Sequence, residues 1–215
     1  MRIMLRAKIV SSNEIYLITP SLLNAWAYIW ESANSVKESE NDILSIEDKK
    51  TEAQEKAMQD FLKTLNRIPS EPNEYMLDGI EFEKQCYEGN TCVSPIIKGG
   101  CYQIVGKKNV TIDGMNFLMY GRLDVLKGGT IYDIKRIRKY NLGKYKWSYQ
   151  HGFYLDLFPR AYKFEYLAYD GNKLHHEVYY REECQPTIEA IKNFINWLKK
   201  NDLLNLYKEK WKSIY

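Results

Sequence analysis

Gly121-Arg122-Leu123-Asp124, then Gly128-Gly129, then Ile131-Tyr132-Asp133-Ile134-Lys135 decide how this chain is read. The double glycine is a turn signal between runs rich in β-branched and aromatic residues, which predicts two antiparallel strands joined by a turn. Asp133 and Lys135 are two apart on the second strand, so their side chains share one face. Asp124 ends the first strand and faces them if the register allows. Two carboxylates brought together repel, and burial worsens the repulsion. A divalent cation held through oxygen, Mg²⁺ or Mn²⁺, resolves that conflict, polarises a phosphate and lowers the pKa of a bound water. Lys135 would orient that water or offset the charge developing at phosphorus. This is the chemistry of phosphodiester hydrolysis. An exposed Asp–Lys pair on an edge strand has the same Asp-x-Lys pattern, so the tripeptide alone does not separate the two.

Working outward, apolar periodicity sets the order of elements. Met1 to Leu17 alternates like a strand or extended arm. Thr19 and Pro20 open a helix whose stripe is Leu22, Leu23, Trp26, Ile29 and Trp30. Ser32 to Asp48 is polar and acidic and reads as a loop. Ala53, Ala57, Met58, Phe61, Leu62 and Leu65 make a second helical stripe. After the break at Pro69 to Pro72, a third helix is predicted over 73–87. Strand-like runs then fill Thr91 to Val105 and Asn116 to Ile137, punctuated by Gly99-Gly100, Asp113-Gly114 and Gly128-Gly129. A helix over 144–158 ends at Pro159. Strands follow over 161–170 and 174–180. From Pro186 a stripe of Ile188, Ile191, Ile195 and Leu198 leads to Leu203, Leu206 and Trp211. A helix, a meander, a crossover helix and a returning strand make a mixed α/β sheet.

The chain has 215 residues, 45% hydrophobic and 27% charged, which suits one domain over 1–215 and rules out wholesale disorder. Its expected parts are a helical stretch over 19–68, a core over about 73–180 and helices over 186–213. No apolar run approaches the roughly 20 residues that span a bilayer, and no secretory signal is visible, so a cytoplasmic location with reduced thiols is expected. Net charge is only +3, so any nucleic-acid affinity must come from local patches. Cys86, Cys92, Cys101 and Cys184 form no Cys-x-x-Cys pair, and no iron–sulfur cluster is expected. His175 and His176 are adjacent on a strand and face opposite ways, a poor chelate. His151 reads as a packing or surface residue. No nucleophile elbow or phosphate-cradling loop is present, so no nucleoside triphosphate dependence is expected.

Together, the Gly-Arg-Leu-Asp and Tyr-Asp-Ile-Lys segments resemble the core motif of the PD-(D/E)XK nuclease superfamily. Gln150-His151-Gly152-Phe153-Tyr154 is similar to the Gln-x-x-x-Tyr helix of its RecB-like branch, which includes Cas4-like proteins and lambda-type phage exonucleases. Gly79-Ile80-Glu81-Phe82-Glu83 resembles the Gly-x-x-x-Glu of the first core helix. Val93 to Ile97 is similar to the first core strand of the lambda-type exonucleases, and Pro20 to Trp26 to the Ser-x-Leu opening helix. The resemblance spans about Thr19 to Asp170. It implies a restriction-endonuclease-like α/β core (helix, three-stranded meander, helix, strand; a mixed sheet flanked by helices) with extra N- and C-terminal helices. It also implies a Mg²⁺- or Mn²⁺-dependent deoxyribonuclease, more an exonuclease than an endonuclease. Asp124, Asp133 and the Ile134 carbonyl would hold the metal, and Glu83 would support it, with Glu81 in reserve. Lys135, Gln150 and Tyr154 would complete the pocket. Leu123 stands where the nominal motif has proline, Asp133 where glutamate is commoner, and the cysteine quartet of the iron–sulfur members is missing.

Arg136, Arg138, Lys139, Lys144 and Lys146 continue from Lys135 as a basic strip interleaved with Tyr140, Tyr145, Trp147 and Tyr149. Basic side chains contact phosphates and exposed rings stack on unpaired bases. DNA, single- or double-stranded and read with little sequence specificity, is the expected partner, and a homo-oligomer or a recombination partner protein is compatible with the terminal helices. Competing readings are a non-cleaving DNA- or protein-binding module on a nuclease-like fold, a Cas4-like nuclease and a restriction-type endonuclease.

Overall fold

The computed structural model of the chain describes residues 14–36, 45–69 and 71–213. Among these residues, helices flank two mixed sheets. The three-stranded sheet has β1 (Ile15–Ile18) parallel to β4 (Met115–Arg122), and β4 antiparallel to β3 (Val105–Ile112). The five-stranded sheet runs β2 (Cys101–Tyr102), β5 (Val125–Lys127), β6 (Thr130–Arg136), β7 (Lys163–Tyr169) and β8 (Leu174–Tyr180). β6 and β7 are parallel and the other neighbours antiparallel. Two hairpins turn at the expected dipeptides. Asp113-Gly114 and Gly128-Gly129 each have both central φ angles positive, the geometry that matches the twist of flanking strands.

The helices are α1 (Pro20–Asn34), α2 (Ile46–Leu65), α3 (Glu74–Glu88), α4 (Ser94–Ile97), α5 (Gln150–Leu157), α6 (Thr187–Lys200) and α7 (Leu204–Lys210). Thr19 caps α1 by accepting from the Leu22 N–H at 3.2 Å, and Asn73 caps α3 through Met76 N–H at 2.9 Å. Gly89, at φ 93°, closes α3 in the left-handed conformation that glycine adopts freely.

A large core forms between the sheets and α1, α2, α5 and α6. It includes Ile18, Leu22, Phe61, Phe117, Phe153, Phe164, Tyr166, Phe194 and Leu198. Burying each such side chain contributes about 1.5–3 kcal/mol relative to exposure. A smaller cluster, Phe82 and Cys86 of α3 with Val93, Ile97, Val125, Ile134 and Leu167, covers the opposite face of β6. So Ile134 points to α3, while Ile131, Asp133 and Lys135 point toward α5.

Several sequence expectations are corrected. Val93 to Ile97 is no strand: Ser94–Ile97 is one helical turn, opened by Pro95 in its first positions. The helix predicted over 144–158 begins only at Gln150. Gly143 sits at φ 74°, and the Tyr145 N–H donates to the Glu177 carboxylate at 3.0 Å instead of to a helical carbonyl. α1 continues to Asn34 and α2 starts at Ile46, so the expected 32–48 loop is shorter at both ends; residues 37–44 lie outside the described residues. The expected N-terminal strand is described only from Ile15 to Ile18, its residues 1–13 lying outside the described residues. No described helix is long and apolar enough to cross a membrane.

Candidate active site

Register brings the two aspartates together. β5 pairs with β6 as Val125 with Tyr132, so the chain just before β5 sets Asp124 opposite Asp133. Asp124 lies where the chain leaves β4 in one sheet and enters β5 in the other. There its Oδ2 accepts from the Ile134 N–H at 2.9 Å. Thus Ile134, expected to offer its carbonyl to a metal, joins the site through its amide.

Asp133 is 3% exposed. Its Oδ1 accepts a hydrogen bond from Gln150 Nε2 at the first turn of α5. Its Oδ2 lies 2.5 Å from Lys135 Nζ, the charged donor of an ion pair. The i, i+4 spacing of Gln150 and Tyr154 does place both on one helix face, with different tasks. The Tyr154 hydroxyl donates to the Arg122 carbonyl at 2.7 Å and so holds the end of β4 next to Asp124. Gly121 makes this possible: a Cβ there would sit 2.7 Å from Tyr154 Cε1.

Glu83 is half-buried on α3, and Glu81 is exposed, its carboxylate accepting from Gln85 at 3.1 Å. Glu83 Oε1 accepts from Tyr87 Oη at 2.5 Å and from Gln103 Nε2 at 2.7 Å. Gln103 also donates its backbone N–H to the Asp124 carbonyl at 2.9 Å, at a left-handed φ of 53°. Gln103 therefore ties α3 to the Asp124 junction, and the sequence gives no sign of it beyond the nearby Gly99-Gly100 turn. Among the described residues no three His, Cys, Asp or Glu side chains gather closely enough to hold a metal by themselves. Glu83 makes no hydrogen bond to either aspartate, but its charge lies close enough to raise both.

Electrostatics follow from this burial. Desolvation, with the Asp133 charge second, pushes the Asp124 carboxyl up to about 8. Burial raises Asp133 too, against the pull of Lys135. For Lys135 burial works against the charge, but Asp133 and Asp124 outweigh it and hold the ammonium above its ordinary value. Lys135 is thus a cation, not a base, across neutral pH.

Oxygen-rich, buried and short of positive charge, the pair suits Mg²⁺ or Mn²⁺, which bind through one or two carboxylates and keep several waters. Two buried carboxylates facing each other across the β5–β6 pairing, with the Lys135 ammonium at one of them, are the donor set that fits such an ion.

Two further residues build the entry to α5. Ser148 Oγ accepts from Asn24 Nδ2 at 2.9 Å and from the Gln150 N–H at 3.1 Å. Asn24 Oδ1 in turn accepts from the Tyr149 N–H at 2.8 Å, so α1 clamps the start of α5. His151 is buried, stacked on Tyr179 at 3.9 Å, and desolvation holds it down to about 4. It is a packing residue, as the sequence suggested. Tyr145 is packed on Tyr166 at 4.2 Å, and Tyr140 on His175 at 4.3 Å.

The basic strip divides. Arg136 pairs with Asp78 of α3 at 3.2 Å and donates to the Ile137 and Tyr169 carbonyls, so it serves the fold. Arg138, Lys139, Lys144 and Lys146 are exposed, Arg138 lying over the Tyr75 ring at 5.4 Å. Between them the loop presents Leu142 at 93% exposure.

No family model matches the chain, and no curated protein matches it. Among solved structures it is similar to SSO0001, at 14% identity over 86% of this chain and 78% of that one, with a TM-score of 0.51. At that identity the likeness is one of fold, a mixed α/β architecture flanked by helices.

Proposed function

We propose that the chain is a metal-dependent deoxyribonuclease of the PD-(D/E)XK superfamily, of the RecB-like and lambda-type phage exonuclease kind, acting in recombination or repair. In this reading α3 is the first helix of a restriction-endonuclease-like core, β3, β4–β5 and β6 its meander, α5 the crossover and β7 the returning strand. One observation carries the proposal: Asp124, Asp133 and Lys135 meet at the β5–β6 hairpin, with Gln150 of the following helix hydrogen-bonded to Asp133.

Asp124 and Asp133 would hold Mg²⁺ or Mn²⁺, which when bound supplies Lewis acidity toward a phosphate oxygen and acidifies water. Every other part falls to the chain. Gln150 fixes the Asp133 carboxylate, and the Ile134 amide fixes that of Asp124. Tyr154 fixes the strand end between them. Lys135, held as a cation, steadies the charge that grows on the phosphoryl oxygens. Hydrolysis joins a water oxygen to phosphorus and breaks the bridging P–O bond. The leaving oxygen takes a proton that the water releases, so a phosphomonoester and an alcohol result. Arg138, Lys139, Lys144 and Lys146 would hold flanking phosphates without reading bases.

End-labelled linear single- and double-stranded DNA, digested with Mg²⁺ and with EDTA, tests this. Cutting should require the metal. Asp133→Asn and Lys135→Met should each lower it about 100- to 1,000-fold, the usual cost of removing one such group, while far-UV circular dichroism stays unchanged. Full activity in either folded variant would sink the assignment.

A further inference from the structure

A recess of about 350 Å³ opens beside the entry to α5. Its walls are Trp30 and Trp26 of α1, with Glu31, and Trp147 and Tyr149 of the loop before α5. That size lies at the lower end of small-molecule sites, about 300–1,000 Å³. Trp30 is 41% exposed. Tyr28, one turn beyond the clamping Asn24, is 46% exposed and meets the Trp147 ring at 5.7 Å. Trp26 is 7% exposed, and its Nε1–H is buried with no hydrogen-bond partner. Exposed aromatic rings so grouped need an explanation, because burying them would stabilise the fold.

Charge selects the occupant. Lys144 and Lys146, both exposed, precede Trp147 in the chain, and Gln150, three residues after it, touches Asp133. Along the chain, cations come first, then rings, then the glutamine that holds Asp133. A base in a duplex has its faces stacked and its edges paired, and cannot enter a recess between two tryptophans. An unpaired base can, and stacking on aromatic side chains is tolerant of sequence. We propose that the recess between Trp30 and Trp147 receives an unpaired base of single-stranded DNA, with Tyr28 as an outer ledge and the phosphates on Lys144 and Lys146. This deepens the nuclease reading above and rests on it: the strand fed to Asp133 is single-stranded, if only as a frayed end.

Binding is measured in EDTA, where no cutting occurs, by fluorescence anisotropy of the full chain with labelled oligo(dT), a blunt duplex and oligo(U). The wild type should bind oligo(dT) best. Tyr28→Ala and Trp147→Ala should each weaken oligo(dT) binding about tenfold or more, as loss of one stacking ring does, and leave the duplex value unchanged. Trp147→Phe, which keeps a ring, should restore most of the loss and guards against a merely misfolded Trp147→Ala. Equal oligo(dT) affinity in wild type and both alanine variants would overturn the proposal, as would equal losses for duplex or tighter binding of oligo(U). Because this assay needs no cleavage, a chain that stacks oligo(dT) but cuts nothing with Mg²⁺ would remove the nuclease reading alone. A chain that cuts but ignores Trp147 would remove the recess alone.

Discussion

In EDTA the protein should lose stability as pH rises from 6.5 to 8, and Asp124 should be the cause. Burial and the neighbouring Asp133 raise Asp124 from an ordinary carboxylate value of 3.8 to about 8. A group whose folded pKa is raised holds its proton in the native state after the unfolded chain has released it. Its stabilisation is therefore present at low pH and disappears as pH climbs through the folded pKa. In this window the raised carboxyls of the Asp124–Asp133 pair dominate. Below 6.5 the buried His151, held down to about 4, contributes a slope of opposite sign. Above 8 the unfolded thiols of Cys86 and Cys184, both raised to about 11 in the fold, begin to ionise. Between the limits the loss is about 2 kcal/mol at ~1.4 kcal/mol per pH unit, tapering near the midpoint. For a chain of this size that lowers the melting temperature by about 5 °C. Scanning calorimetry of wild type and Asp124→Asn reads it directly. Asparagine keeps an acceptor for the Ile134 N–H but cannot titrate, so the variant's slope should be clearly shallower than the wild type's. Mn²⁺ should restore the wild type at pH 8 more than at pH 6.5, since the ion requires the deprotonated carboxylate. An Asp124→Asn protein with the wild-type slope would refute the desolvated pair.

Two structural substitutions extend the same logic. Gly121→Ala sets a Cβ 2.7 Å from Tyr154 Cε1 and 3.2 Å from Leu157 Cδ1, which should cost about 1–3 kcal/mol by overpacking and displace Tyr154 from the Arg122 carbonyl. A lowered melting temperature together with slowed cutting is the expected result, and wild-type behaviour in both would show that the close approach is not needed. Glu177→Ala removes the buried acceptor shared by Tyr140 Oη, Tyr179 Oη and the Tyr145 N–H. Leaving these unpaired should cost about 2–4 kcal/mol and free the 139–148 loop. Hydrogen exchange at the Tyr145 amide should accelerate sharply, and unchanged protection would dismiss the tether.

What was legible in the sequence is what local chemistry dictates. β8 matches its expected span, α3 is displaced by one residue, and both glycine-bearing hairpins turn where glycine or aspartate tolerates positive φ. The Asp133–Lys135 face follows from strand periodicity alone, and the i, i+4 pairing of Gln150 and Tyr154 from helix periodicity. The misses are tertiary. Tyr145 to Trp147 has a helical composition, but a carboxylate 32 residues away in sequence takes the Tyr145 amide. Val93 to Ile97 is apolar and β-branched enough for a strand, yet Pro95 and the Ser94 side chain, bonded to the Cys86 carbonyl at 2.8 Å, fold it into a turn of helix. Arg136 looks like its basic neighbours but is captured by Asp78. Gln103, Asn24 and Ser148 reach the site from distant segments, and nothing local distinguishes them from solvated polar residues.

Folding alone gives no reason for Asp133. β6 presents Ile131, Asp133 and Lys135 to the face that carries Phe164 and Tyr166 of β7, and Asp133 pairs in register with Tyr166 itself. An apolar residue at that position would extend the core. A buried ion pair is at best a small gain, and replacing one with packed hydrophobic residues is often neutral or stabilising by about 1–4 kcal/mol. Here the balance is worse than for an ordinary pair, because Asp124 adds a second carboxylate that the Lys135 cation must also serve. Gln150, Ser148 and Asn24 form a chain of hydrogen bonds across three elements that ends on the Asp133 carboxylate. Such support holds a charge in one orientation where the local hydrophobic pattern disfavours it, and departures of this kind from local consistency concentrate where a protein acts on something else.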